Sequence, residues 1–270
     1  MRRADNDRYL SVLYAPQQCR AALFALYGFN AEIASVRDRA REPLPGEMRV
    51  QWWRDIIGNE STGEHSGYPL AEALLQAIRR HNLPRHAFEN YLDARIFDLY
   101  DDPMPSRTDL EGYCGETASV LIQLASLILD AEAATPYAEL AGHAGCAQAI
   151  TGLLRLMPIH RSRGQCYIPA EILAASGASA ETFLAGEDNA ALARITSAMV
   201  ALAREHLAIF SRGASSLPKS LLPAYLPLAL VPSYLNAIDR MGQNAASETA
   251  EIAAWKRHWL LFRAASRGFG

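Results

Sequence analysis

Apolar residues recur at helical spacing along almost the whole chain, and this periodicity limits the fold more than any other feature. Between "GEDNA" and "SRGASSLP", Leu192, Ile195, Met199, Leu202 and Ile209 form one stripe of a long helix, since positions three and four apart share a face. His206 falls on the same stripe and reads as a satisfied core residue. Alternating or β-branched runs bounded by turns, which would mark strands, are hard to find. Further helices are expected from Ala21 to about Arg39, around "VQWWRDIIG", from Tyr68 to about Asn82, from Pro84 to about Tyr100, over Leu110–Leu129 and over Tyr137–Met157. Leu83-Pro84 and Asp102-Pro103 punctuate them, because a residue before proline is pushed out of helical geometry. "NESTGEHSGYP", Asn59 to Pro69, reads as a loop.

The expected architecture is all-α: one domain over residues 1–270, built from roughly ten bundled helices. With 270 residues, half of them apolar, the chain can bury a sizeable core. No low-complexity linker divides it and no fixed repeat runs through it. The segment 137–157 is rich in Ala and Gly, which permits close approach of a neighbouring helix or a flat apolar ligand. "LLPAYLPLALVPSYL", Leu221 to Leu235, is the most apolar stretch but contains Pro223, Pro227 and Pro232. It is too short to span a bilayer and reads as a kinked, buried helix pair.

A net charge of −3 and a pI near 6.2 argue against a nucleic-acid partner, which would call for a strong basic excess. Cys19, Cys114, Cys146 and Cys166 form no CxxC pair, so reduced, partly buried thiols and a cytoplasmic location are expected. The start "MRRADNDRYL" lacks the apolar segment of a secretory signal. Seven histidines include no HxxxH pair, and Asp101-Asp102 precedes Pro103 and reads as a solvated turn. No metal site and no cofactor are expected.

One stretch stands apart. In "LLRLMPIHRSRGQCYIP", Leu153 to Pro169, an apolar helix meets Met157-Pro158 and turns basic at Arg155, His160, Arg161 and Arg163. Cations suit a helix C-terminus, whose carbonyls carry partial negative charge. An anion site is the functional alternative.

The ordered segments "YLSVLYAPQQCRAALFALYGFNAEIA", "LPRHAFENYLDARIFDLYDD", "LEGYCGETASVLIQLAS" and "AQAITGLLRLMPIHRSRGQCYIPAEIL" resemble the squalene/phytoene synthase family from about Arg8 to at least Leu173. The resemblance implies a single all-α domain of the isoprenoid synthase type around a central apolar cavity. In that family two aspartate-rich motifs face each other and hold Mg²⁺ on prenyl diphosphates, an oxygen-rich site suited to that ion. Here Ala31 and Ser35 take the aspartate positions of the first motif, with only Glu32 acidic, and Leu156 and His160 take those of the second, after Arg155. Arg20, Asp98, Tyr113, Arg155 and Tyr167 match positions that line or support the family cavity. With Glu32, His160 and Arg163 they form the ligand-binding set to be tested.

"FN.E", met here as Phe29-Asn30-x-Glu32, followed by Gln51-Trp52-Trp53, is similar to a branch of the family that lacks the aspartate motifs and includes a mitochondrial assembly factor of respiratory complex I. That resemblance implies a non-catalytic protein with a protein partner in respiratory complex assembly and a prenyl or lipid ligand. The alternative is a head-to-head prenyl transferase acting on prenyl diphosphates, either with Mg²⁺ or with arginines and His160 neutralising the leaving group. Side chains of Arg155, His160 and Arg163 pointing into a cavity would favour it. A generic helical interaction domain would explain the composition but not the ordered segments.

Near the C-terminus, "ETAEIAAWKRHWLLFRAASRGFG" places Ile252, Trp255, Trp259 and Phe262 on one face, with Lys256, Arg257 and Arg263 nearby. A terminal helix docking this aromatic face on the bundle is the expected arrangement. A peripheral contact with the inner face of a membrane is the other reading.

Overall fold

The computed structural model describes residues 2–40, 42–58 and 67–269, and every regular element among them is helical. Residues 59–66 of the expected loop Asn59–Pro69 lie outside the described residues. The chain begins with α1 (Asn6–Val12), whose N-cap Asp5 accepts from Arg8 N at 2.9 Å, and continues into α2 (Gln17–Ala34) and the short α3 (Val36–Arg39). The single helix expected over Ala21–Arg39 is broken at Ser35, which leaves helical geometry and whose Oγ donates to the Glu32 carbonyl at 2.8 Å. A serine hydroxyl competes with the helix for backbone partners, and here it marks the break.

Next come α4 (Pro43–Gly58), α5 (Pro69–His81) and α6 (Arg85–Ile96). α5 stops at Asn82, held at φ 48°, a left-handed conformation that asparagine tolerates better than most residues. α7 (Arg107–Cys114) passes through a π turn, Gly115–Ser119, into α8 (Val120–Ala134). After α9 (Ala138–Arg155) the chain breaks at Leu156, and α10 (Met157–Ser162) restarts with Pro158 in its first turn, where a missing N–H does no harm. α11 (Ala170–Ala175) and α12 (Ala180–Ala185) lead into the long α13 (Asn189–Gly213). The proline-rich segment folds as α14 (Leu222–Tyr225), a tight turn over Leu226–Leu230 and α15 (Val231–Met241), and α16 (Ala254–Arg267) closes the chain. Breaks at Ser35, the π turn, Leu156 and the prolines raise the count of α segments to sixteen among the described residues, above the ten expected.

α13 and α9 pack along each other, and α2 packs on α5 and α8. Trp53, Phe29, Phe88, Tyr91, Phe210 and Tyr225 are fully buried. On α13 the stripe continues through Phe210, which is buried, while Ile209 lies half-exposed. His206 is buried, with its ring nitrogens 3.0 Å from His143 Nδ1 and 3.1 Å from Glu111 Oε1. The small residues of α9 serve helix contact: a Cβ on Gly145 would collide with the backbone of Ser119 in the π turn. Residues 107–155 contain a window apolar enough to cross a membrane, but 61% of it is buried inside the bundle, as in a core helix. All four cysteines are buried and free.

α16 corrects the expected docking. Leu261 and Ala264 bury against Leu226, Leu230 and Tyr234, and Arg257 on the same side meets Asp7 at 2.7 Å. This fixes the helix rotation and turns the aromatic face outward, leaving Trp255 72%, Trp259 56% and Phe262 54% exposed. Only Ile252, ahead of the helix, is buried. Both faces of α16 carry apolar residues, and periodicity alone chose the larger side chains.

Candidate functional site

A cavity of about 730 Å³ lies between the C-terminal half of α2, the π turn, the end of α9 with α10, and the α1–α15–α16 corner. Small and apolar residues such as Ala31, Ala118, Ala149 and Val231 line it together with seven arginines and five carboxylates. The cavity lining is therefore mixed, a departure from the apolar central cavity that the resemblance implies.

All four positions that would carry metal-binding aspartates face this cavity: Ala31 and Ser35 from α2, Leu156 and His160 from the α9–α10 junction. Both segments contribute to the lining, and neither presents a carboxylate at these positions. Glu32, the acid left in the first segment, does not line the cavity. It is 8% exposed and turns into the α4 side, where Trp53 Nε1 donates to it at 3.1 Å and Arg49 and the Tyr68 hydroxyl bind the same carboxylate. Arg49 also stacks 4.0 Å above the Trp52 ring. The expected ligand role of Glu32 is thus replaced by a structural one: residues one position apart on a helix point about 100° away from each other, and this one points inward. Asn30, beside it, does line the cavity and accepts from Tyr91 at 2.9 Å.

Arg20 does not line the cavity either. Its guanidinium donates to the carbonyls of Ala15 at 2.8 Å and Leu13 at 2.9 Å, closing the turn between α1 and α2.

Asp98, Tyr113 and Tyr167 come together on the cavity floor. Asp98 Oδ1 accepts from Tyr113 at 2.8 Å and Tyr167 at 2.7 Å, and Oδ2 accepts from Arg95 at 2.9 Å. Arg95 also donates to the Tyr113 oxygen at 2.9 Å, and Gln165 donates to the Asp98 carbonyl at 2.9 Å. Burial, with the Asp98 carboxylate beside them, raises the pKa of both phenols, so the tyrosines stay protonated donors. The arginine that satisfies Asp98 sits one turn earlier on its own helical segment and not across a helix contact. The spacing "RIFD" was the available signal for it.

Arg155, His160 and Arg163 do point into the cavity, the orientation that the enzyme alternative requires. The two arginines, however, are partnered. Arg155 lies 3.9 Å from Asp7 and 3.5 Å from Glu251 and stacks 3.8 Å over the Tyr234 ring, while Asp7 is shared with Arg257 and accepts from Tyr234 at 3.1 Å. Arg163 pairs with Asp38 at 2.5 Å. His160 rests 4.7 Å from the Tyr167 ring, and burial lowers its pKa to about 4, outweighing the pull of Asp98, so it is neutral at pH 7. Asp7, Asp38 and Arg257 were not singled out as site residues by the sequence, because their partners lie far off in the chain; Arg95 was missed although its partner Asp98 is only three residues on.

The residues present do not fit a Mg²⁺ centre. Each carboxylate lining the cavity is paired with an arginine: Asp5 with Arg8, Asp7 with Arg257, Asp38 with Arg163, Asp98 with Arg95 and Glu251 with Arg155. Among the described residues, no group of three or more His, Cys, Asp or Glu is placed to hold a metal ion. One polar group in the wall remains open: the Gln148 amide oxygen is buried without a partner. An unsatisfied buried acceptor is uncommon and suits a ligand donor.

An all-α bundle around one cavity lined by Ala31, Ser35, Leu156 and His160 defines the class. The chain belongs to the squalene/phytoene synthase family, whose model matches residues 1–261. It is 31% identical over 242 residues to NADH dehydrogenase (ubiquinone) complex I, assembly factor 6, of Rattus norvegicus, covering 89% of this chain and 72% of the relative. The Homo sapiens protein of that name is 30% identical over the same shares. The fold matches the crystal structure of a dehydrosqualene synthase with a TM-score of 0.81 over 98% of this chain and 92% of that one, at 17% identity.

Proposed function

We propose that this protein is a non-catalytic member of the family, acting as an assembly or binding factor for a respiratory NADH dehydrogenase, with a prenyl or lipid chain as the ligand of its cavity. One observation carries the reading: Ala31, Ser35, Leu156 and His160 line the cavity where carboxylates would have to stand, and its remaining carboxylates are engaged by arginines. Ionising a prenyl diphosphate needs strong charge neutralisation at the leaving oxygen. A neutral imidazole and arginines held by acids supply little of it. The relatives named as complex I assembly factors, at about a third identity over most of the chain, support the biological half of the reading.

The cavity's volume falls in the range of small-molecule sites, about 300–1,000 Å³. Its apolar lining residues suit an isoprenoid or acyl chain, and the open Gln148 oxygen suits a hydroxyl or amide donor. The protein's residues would bind and orient such a chain and exclude water; none is placed to cleave it.

The test pairs two measurements. Incubation with farnesyl or geranylgeranyl diphosphate and Mg²⁺ should give no head-to-head product and no melting shift that depends on both additions. Deletion of the gene should reduce assembled NADH dehydrogenase, with rescue by the wild-type chain. A head-to-head product, or normal assembly in the deletion, overturns the proposal. The enzyme reading keeps one observation of its own, the inward orientation of Arg155, His160 and Arg163, and the product assay decides it.

A further inference from the structure

We infer that the outward face of α16 is a docking surface for an anionic membrane. Trp255, Trp259 and Phe262 lie within an arc of roughly 60°, at the ~100° per residue of an α-helix. This arc is opposite Leu261, Ala264 and Arg257, which fasten the helix to the protein body. The aromatic face is therefore presented by a held helix and not by a loose tail. Its three large rings are each more than half exposed.

Charge selects the occupant. Lys256, Arg263 and Arg267 flank the aromatic arc on one side, and no acidic residue occurs between Ile252 and Phe269. The cation on the inner face, Arg257, is already paired with Asp7. A protein partner's apolar groove would be met by rings with a mixed or neutral rim; rings with an unopposed basic edge match the headgroup layer of anionic lipid, where indoles sit at the polar boundary and cations meet phosphate. The helix has 14 residues, about 21 Å, too short to span the hydrocarbon layer and suited to lying flat on it. Arg257 also lines the cavity, so the docked helix would bring the α1–α15–α16 side of the cavity near the lipid surface.

The inference rests on α16 and does not require the cavity reading above. Flotation of the full chain with phosphatidylcholine vesicles, with and without phosphatidylglycerol, tests it. Wild type should float with the anionic vesicles, far less with the neutral ones, and less again in high salt, which screens exposed charges. Combined Trp255→Ser, Trp259→Ser and Phe262→Ser should lower the partition at least about tenfold with the melting temperature unchanged, since these side chains are exposed. Combined Lys256→Glu, Arg263→Glu and Arg267→Glu should remove the preference for anionic vesicles. Failure of wild type to float with either vesicle, or flotation of the aromatic variant equal to wild type, overturns the inference. So does capture of a respiratory subunit through this face without any vesicle binding. None of these results alters the product assay or the deletion phenotype.

Discussion

The two segments that the resemblance assigns to the metal motifs both line the cavity without a carboxylate at the matching positions, and they differ in what surrounds those positions. On α2 the positions that the resemblance gives to aspartates are Ala31 and Ser35, small and uncharged, and the acid beside them lies outside the cavity: Glu32 binds Trp53, Arg49 and Tyr68 and ties α2 to α4. On the α9–α10 wall, Leu156 and His160 fill the positions, and the neighbouring cations remain in the cavity, satisfied by carboxylates borrowed from elsewhere, Asp7 of α1 and Asp38 of α3. One wall became structure. The other carries an ionic lining balanced by acids from α1 and α3.

The difference makes Glu32 the most costly residue to change. Glu32→Ala leaves a buried indole N–H and Arg49 without their acceptor, and breaking such a network costs about 3–5 kcal/mol. A fall in melting temperature of order 10 °C is expected, with no change in the binding of any cavity ligand beyond that due to unfolding. A loss of ligand affinity in a folded variant would return Glu32 to the site. Asp98→Asn comes next. It removes the charge opposite the buried part of Arg95 and one acceptor from the two tyrosines, for about 2–3 kcal/mol, read as a shift of the urea midpoint.

These assignments show how much could be read from the sequence. The helical class, the kinked segment with Pro223, Pro227 and Pro232, and the break before Pro158 follow from local chemistry that acts within a few residues. That Ala31, Ser35, Leu156 and His160 belong to one region was legible too, since the resemblance grouped them and all four line the same cavity. What was not legible is side-chain direction. Glu32 and Ala31 are adjacent in sequence yet face opposite environments, Arg20 serves a turn, and Trp255 and Trp259 lost the inner face of α16 to Leu261 and Ala264. The pairing of Asp7 with Arg257 spans nearly the whole chain, and no periodicity reports a contact of that range.

On the second wall, His160 gives a pH signature. Its native pKa of about 4 lies below the 6.5 of an exposed histidine, because burial disfavours the cation. Between these values the unfolded chain takes up a proton that the native protein does not. The contribution is present in full above pH 6.5, is lost as pH falls through the window, and is gone below about pH 4; it amounts to about 2–3 kcal/mol. Wild type should therefore lose this much more stability than His160→Gln between pH 7 and pH 4 in parallel urea titrations. Equal acid limbs would show that the imidazole is solvated and chargeable, which would strengthen the anion-site alternative.

The smallest stability effect addresses the same wall most directly. Asp38 and Arg163 are both substantially exposed, 45% and 38% at their side chains, so their ion pair contributes no more than about 1 kcal/mol. Asp38→Asn should leave the melting temperature within a few degrees of wild type while freeing Arg163, which lines the cavity. Inorganic pyrophosphate, titrated by calorimetry at low ionic strength, should then bind the variant measurably more tightly than wild type. If the variant gains nothing, the arginines of this wall are structural partners of their acids and the anion-site reading has no remaining support. If wild type already binds as tightly, the pairing with Asp38 does not compete with an anionic ligand at Arg163.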